Sequence, residues 1–233
     1  LWLHGSTGSS RTAPACAGAH VLSYDRPGFG GSSPHESRTL DTDALDVEAL
    51  LDAHHLASVP VLAFSGGAAV AYAFATRAPD RVSRLGIVSG ATPPTTPPPT
   101  VEALDDVATS LASDPDAAVA ALAVDAAPLD LAVLSSAHHR RRLIEGARDA
   151  VRTGTRSWII EALTVRNQWP RNLHEVRCRV ILWHGRHDRA VPVSDAETTA
   201  TLLPSAELRI SDEAGHLGWL AVEQDLLTTM LSR

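Results

Sequence analysis

Lysine is missing altogether: the 233 residues carry 20 basic side chains and every one is arginine. A Walker-type phosphate loop needs its lysine, and so does any Schiff-base enzyme. Both classes are excluded, and pyridoxal-phosphate chemistry with them. Cysteine is scarce as well. Cys16 and Cys178 lie far apart, with no pair at metal-ligand spacing, which excludes a cysteine-built zinc site and reads as two reduced packing residues of a cytoplasmic protein. No apolar run approaches the ~18 residues that a membrane-spanning helix requires, so no membrane span is expected.

Positive charge is thin too. Against 27 acidic residues the net charge is −7, so phosphate-backbone affinity and a nucleic-acid partner are not expected. The one basic run, His138 to Arg142, is short and reads as a solvated helix face. Neighbouring histidines such as His54 and His55, or His138 and His139, point in different directions on a helix and make poor chelates, so no metal is expected. What the chain does have is 44% hydrophobic residues spread along its length, enough for one domain with a substantial core.

Short apolar runs closed by glycine, proline or polar clusters mark strands at residues 1–3, 21–24, 59–64, 84–89, 179–183 and 206–210. Helical spacing marks residues 39–55, 68–78, 195–203 and 217–231. Strand and helix alternate at both ends of the chain, which predicts an α/β fold with a mostly parallel central sheet and helices on both faces. The alternation breaks between. Residues 91–173 open with a proline-rich linker at 93–99 and then hold only helical patterns, at 101–111, 117–124 and 136–165. The expected organisation is a core of residues 1–90 and 174–233 with an inserted helical cap at 91–173.

The chemistry centres on Ala63-Phe64-Ser65-Gly66-Gly67, where an apolar strand turns abruptly into an alanine-rich helix. Small residues two before and two after the serine suit a tight, strained turn that lifts the hydroxyl above the sheet. The same turn aims the Gly66 amide, at the helix N-terminus, into that space. A serine hydroxyl needs a base to take its proton and an acid to orient the base. Asp188 follows the fifth strand run and His216 follows the sixth in a glycine-flanked loop. Taken singly, Asp188 could cap a loop and His216 could be a surface histidine; the chain order Ser, Asp, His just beyond strand ends is the order of a nucleophile-elbow triad.

With those residues in view, the sequence resembles the α/β-hydrolase fold superfamily, and within it the cap-bearing serine hydrolases of esterase type. The resemblance is carried by residues 4–10 (HGSTGSS), 25–32 (DRPGFGGS), 63–67 (AFSGG), 184–188 (HGRHD) and Gly215-His216, which span nearly the whole chain. It implies Ser65 as nucleophile, His216 as general base and acid, and Asp188 as the orienting carboxylate. It also implies an oxyanion hole from the backbone N–H groups of Ser6 and Gly66, a structural role for His4, and no metal or organic cofactor. Ala63 stands where the family motif has its first glycine. Ser65, rather than an aspartate, argues against dehalogenase and epoxide hydrolase chemistry. Gly66 gives no support to the perhydrolase branch, which usually has methionine there.

The family sheet usually begins with two further strands, which are missing before Leu1. The expectation is a shortened or misplaced start, with residues 21–24 as an exposed edge that a homo-oligomer would cover. His187 reads as exposed, while Trp158 and Trp169 either line a pocket or pack the cap. The leading reading is a hydrolase of a small ester-like substrate. The alternatives are a carbon–carbon bond hydrolase, a non-catalytic ligand-binding protein on the same fold, and an inactive fragment.

Overall fold

The computed structural model describes residues 1–90, 99–170 and 172–231. Strands β1 (Trp2–Leu3), β2 (Val59–Phe64), β3 (Val82–Val88), β4 (Arg179–Gly185) and β5 (Ala206–Ser211) form one sheet in that spatial order. Every neighbouring pair is parallel. Parallel neighbours need crossovers, and helices supply them. Helix α1 (Leu40–Ala53) precedes β2, and α2 (Gly67–Arg77) joins β2 to β3.

Side chains alternate along the strands. Leu3, Val61, Ala63, Leu85, Val180 and Leu182 bury against α1 and α2 on one face. Trp2, Leu62, Phe64, Val88, Ile181 and Trp183 point to the other face, as the period of two requires. Five helices lie between β3 and β4: α3 (Val101–Ser113), α4 (Pro115–Ala121), α5 (Pro128–Ser135), α6 (Ala137–Ala150) and α7 (Thr155–Asn167). They share the second hydrophobic cluster with the strand residues of that face. Helix α8 (Val193–Leu202) crosses from β4 to β5, and α9 (Glu223–Leu231) packs Leu226, Leu227 and Met230 under the second face.

The structure corrects four expectations. Residues 21–24 are not a strand: a single parallel bridge joins Ser23 to Trp2. The chain then turns at Asp25, whose carboxylate accepts the Ser10 and Gly31 amides at 2.7 and 2.9 Å. The helical pattern at 136–165 is two helices, broken where Gly154 takes a φ of +112° that no helix can hold. The terminal pattern at 217–231 begins as a 3₁₀ turn at Gly218–Val222 and only then becomes α9. Arg142 is not on a solvated face. It is 9% exposed, donates to Thr12 O and pairs with Glu223 at 2.6 Å, because helical spacing turns one residue of the basic run inward.

Helix α5 had no boundary of its own in the sequence pattern. The proline-rich linker expected at 93–99 lies outside the described residues, except for Pro99. Among the described residues, no helix is long and apolar enough to cross a membrane.

Candidate active site

Strand β2 ends at Phe64, and Ser65 adopts φ +49°, a left-handed conformation that L residues other than glycine rarely take. The Ser65 amide is anchored to Val88 O at 3.1 Å, which fixes the turn against β3. A Cβ on Gly67 would stand 2.5 Å from Leu3 O and 2.6 Å from His4 O, so only glycine lets the start of α2 sit this close to the end of β1.

The structure brings Ser65, His216 and Asp188 together from three separate strand ends. Ser65 Oγ lies 3.0 Å from His216 Nε2, and His216 Nδ1 lies 2.8 Å from Asp188 Oδ2. The other carboxylate oxygen, Oδ1, accepts the amides of Ala190 and Val191 at 2.9 and 2.8 Å. Burial by itself pushes the Asp188 carboxyl up, but His216, the Val191 amide and His184 together hold it below the usual aspartate value. An ionised Asp188 makes Nδ1 the protonated ring nitrogen and leaves Nε2 free to accept from serine. Phe64 packs against the imidazole with ring centroids 5.1 Å apart.

His184, also buried, donates from Nε2 to Val191 O at 2.8 Å and lies 3.4 Å from Asp188. Burial lowers its pKa, so it shapes the Asp188 loop as a neutral ring. The sequence reading did not single it out. His187 is exposed at the protein surface, as expected.

Ser6 and Gly66 face one another: a Cβ on Gly66 would fall 3.4 Å from Ser6 N and 2.2 Å from Ser6 Oγ. Among the described residues neither backbone N–H has a protein acceptor. The peptide that carries the Ser6 N–H is held through its carbonyl, Gly5 O, which accepts from His4 Nδ1 at 2.8 Å and from Gly8 N at 3.0 Å. Donors on a carbonyl polarise the amide of the same peptide and strengthen it as a donor. His4 Nε2 accepts the Arg26 amide at 3.3 Å, so both ring nitrogens are engaged in the neutral form.

A buried ion network lies against this loop, and the sequence did not disclose it. Glu161 of α7, fully buried, pairs with Arg26 and with Arg38; Arg38 in turn pairs with Asp43 of α1 at 2.8 Å. The Arg26 guanidinium also donates to His4 O. Ser6 Oγ donates to Glu161 Oε1 at 3.2 Å, and Trp158 Nε1 donates to Ser6 O at 2.8 Å. Burial works to raise the Glu161 carboxyl, but the two guanidinium groups dominate and bring it down to about 2. Arg26 belongs to a recognisable loop motif, but nothing in the sequence ties it to a glutamate 135 residues away.

Above Ser65 opens a cavity of about 590 Å³ lined by Ser6, Ser65 and His216 below and by apolar side chains of α3, α4 and α6 above, including Leu111, Val119 and Leu143. Arg189 and Asp125, 3.3 Å apart, lie on its exposed rim. Trp169 is not part of this cavity; it packs on Tyr72 with ring centroids 5.9 Å apart. Among the described residues, no three His, Cys, Asp or Glu side chains converge as a metal-ligand set.

Known proteins with this architecture are numerous. A pimeloyl-[acyl-carrier protein] methyl ester esterase from Aromatoleum aromaticum is 31% identical, over 90% of this chain and 85% of that protein. A bromoperoxidase from Bacillus anthracis superposes with a TM-score of 0.78 at 22% identity, over 99% of this chain and 90% of that one. An esterase from Exiguobacterium antarcticum superposes with a TM-score of 0.72 at 20% identity, over 90% and 79% of the two chains. At these identities the two structures speak for the fold alone. The model of the alpha/beta hydrolase fold family matches residues 1–220, and with a parallel sheet that carries a serine on its strand-to-helix elbow, the chain belongs to that family.

Proposed function

We propose that the chain is a serine esterase whose five inserted helices act as a cap over the reacting bond. The observation that carries this reading is the continuous relay from Ser65 Oγ through His216 to Asp188, at 3.0 and 2.8 Å. In the first half-reaction Ser65 Oγ attacks the ester carbonyl carbon while its proton passes to His216 Nε2. The N–H groups of Ser6 and Gly66 hold the negative charge that grows on the carbonyl oxygen. Collapse expels the alcohol, protonated by His216, and leaves an acyl group on Ser65. A water molecule, deprotonated by the same histidine, then attacks the acyl carbon and releases the acid.

The apolar lining supports an ester whose acyl or alcohol part is uncharged along most of its length, with polar groups confined to the rim near Arg189 and Asp125. The relative that acts on a methyl ester of a carrier-bound acyl group supports a small alcohol and a longer acyl part. A fluorophosphonate probe tests the reading. The native chain should label and Ser65→Ala should not, and an ester panel graded by acyl length should then be hydrolysed by the native chain alone. A folded native chain that neither labels nor turns over any ester would overturn it.

A further inference from the structure

One carboxylate outside the relay touches the histidine loop on both sides of His216. Asp130 sits at the third position of α5, 6% exposed. Its Oδ1 accepts the Gly215 amide at 2.9 Å and its Oδ2 accepts the Leu217 amide at 3.0 Å, so the two bonds bracket the histidine. A third bond, Leu129 N to Glu213 O at 3.0 Å, joins the same helix start to the same loop. Among the described residues, no arginine or histidine forms an ion pair with Asp130. Its charge is met by two backbone amides, with help from its place in the first turn of a helix.

The glycines around His216 are shaped to this carboxylate. A Cβ on Gly215 would lie 2.7 Å from Asp130 Oδ2, and one on Gly218 would lie 3.0 Å from Oδ1. Gly215 is therefore needed for the approach of a side chain carried by a helix about 85 residues earlier.

We propose that Asp130 is a positioning residue for His216, a clamp that sets the backbone on either side of the imidazole so that both relay bonds form at once. This rests on the reading of His216 as the general base. Because α5 belongs to the inserted helices, the clamp also makes the relay geometry depend on how those helices are seated. Asparagine at 130 keeps one acceptor oxygen and turns an NH2 donor toward the second amide, so one bond is lost and replaced by a donor–donor contact. Alanine loses both bonds.

The test compares the native chain with Asp130→Asn and Asp130→Ala, each checked for folding by circular dichroism. With a p-nitrophenyl ester, kcat should fall in the order native, Asn, Ala, by about 100-fold at the far end, the scale expected for roughly 1 Å of misplacement. KM should stay within a few-fold, because Asp130 borders the cavity with both carboxylate oxygens already taken by the Gly215 and Leu217 amides. The rate of fluorophosphonate labelling of Ser65 should fall in parallel.

Proton NMR gives a readout that needs no turnover. The far-downfield Nδ1–H signal of a histidine bonded to a carboxylate should be present in the native chain and weakened or lost in Asp130→Ala. Folded variants that keep native kcat, labelling rate and downfield signal overturn the clamp. Should Asp130→Ala fail to fold, the near-isosteric Asp130→Asn decides the matter by the same three readouts. A native chain that does not label would count against the esterase reading, while the NMR comparison would still test the clamp.

Discussion

The imidazole of His4 donates to Gly5 O at 2.8 Å, on the very peptide group whose N–H belongs to Ser6. A fully buried histidine thus props the amide proposed to receive the oxyanion. Burial, and then the neighbouring Arg26 charge, lower its pKa to about 3. Both ring nitrogens are committed, one as donor and one as acceptor, so a second proton would break the bond from Arg26 N–H.

Stability should therefore depend on acidity through His4. The unfolded chain binds a proton at this side chain near pH 6.5, but the folded chain does so only near pH 3. Between those values unfolding takes up a proton, so stability is whole above pH 6.5 and is lost as pH falls, by about 1.4 kcal/mol per pH unit at most. His184, lowered by its own burial, adds a slope of the same sign. Denaturant titrations between pH 6.5 and 5 should give a shallower slope for His4→Gln than for the native chain. Equal slopes would mean that His4 does not contribute.

Trp158 holds the next peptide of the same loop, with its indole N–H on Ser6 O at 2.8 Å. Trp158→Phe keeps an aromatic ring in the same buried place and removes that single bond. The Ser6 loop should then sample positions in which its amide misses the oxyanion. Full loss of such a donor is worth about 100-fold or more, so a loosened one should reduce kcat by about tenfold. Steady-state kinetics on one ester should find this fall with KM little changed. A raised KM at native kcat would place Trp158 in substrate binding instead.

Glu161 pairs with Arg26 and Arg38 with no solvent exposure, so neutralising it leaves the buried Arg26 guanidinium with no carboxylate partner among the described residues and Arg38 with Asp43 alone. Glu161→Gln should destabilise the fold by about 3–5 kcal/mol, the usual result of breaking a buried ion network at one member. The loss should be visible as a lower denaturant midpoint at pH 7. Its stability contribution is present above pH 4.5 and disappears toward about pH 2, the sign for a carboxyl whose pKa falls on folding. A midpoint unchanged at pH 7 would show that the network carries no net stability.

Much of this site was written locally and could be read. Residues 63–67 announce a strand-to-helix elbow because small residues must stand where backbones nearly touch. Asp188 and His216 follow recognisable strand ends. What stayed hidden was everything made by contacts across the chain. Glu161 looks like an ordinary charge on a helix, and Asp130 like the acidic first turn of one, until folding sets them against Arg26 and against the Gly215 and Leu217 amides. Arg142 misled for the same reason: five basic residues in a row look solvated, but one of them faces inward. Residues 21–24 misled differently. Their pattern suits a strand, but the chain makes a single bridge at Ser23 and then turns at Asp25, whose carboxylate takes the Ser10 and Gly31 amides.

Asp188 is bound on both oxygens, by two loop amides on one and by His216 on the other. Replacement by asparagine keeps the size and leaves an oxygen for the Ala190 and Val191 amides. The NH2 group must then face His216, which forces Nδ1 to accept and puts the ring proton on Nε2. In that tautomer the histidine cannot take the Ser65 proton. Turnover of Asp188→Asn should fall by about 10,000-fold, with the fold intact by circular dichroism, because the buried position still has a hydrogen-bonding partner on each side. Raising the pH should not restore the rate, because a neutral ring in the wrong tautomer is as inactive as a protonated one. A variant that turns over at near-native rates would transfer the orienting role to another group, and His184, 3.4 Å from the same carboxylate, would mark the place to look.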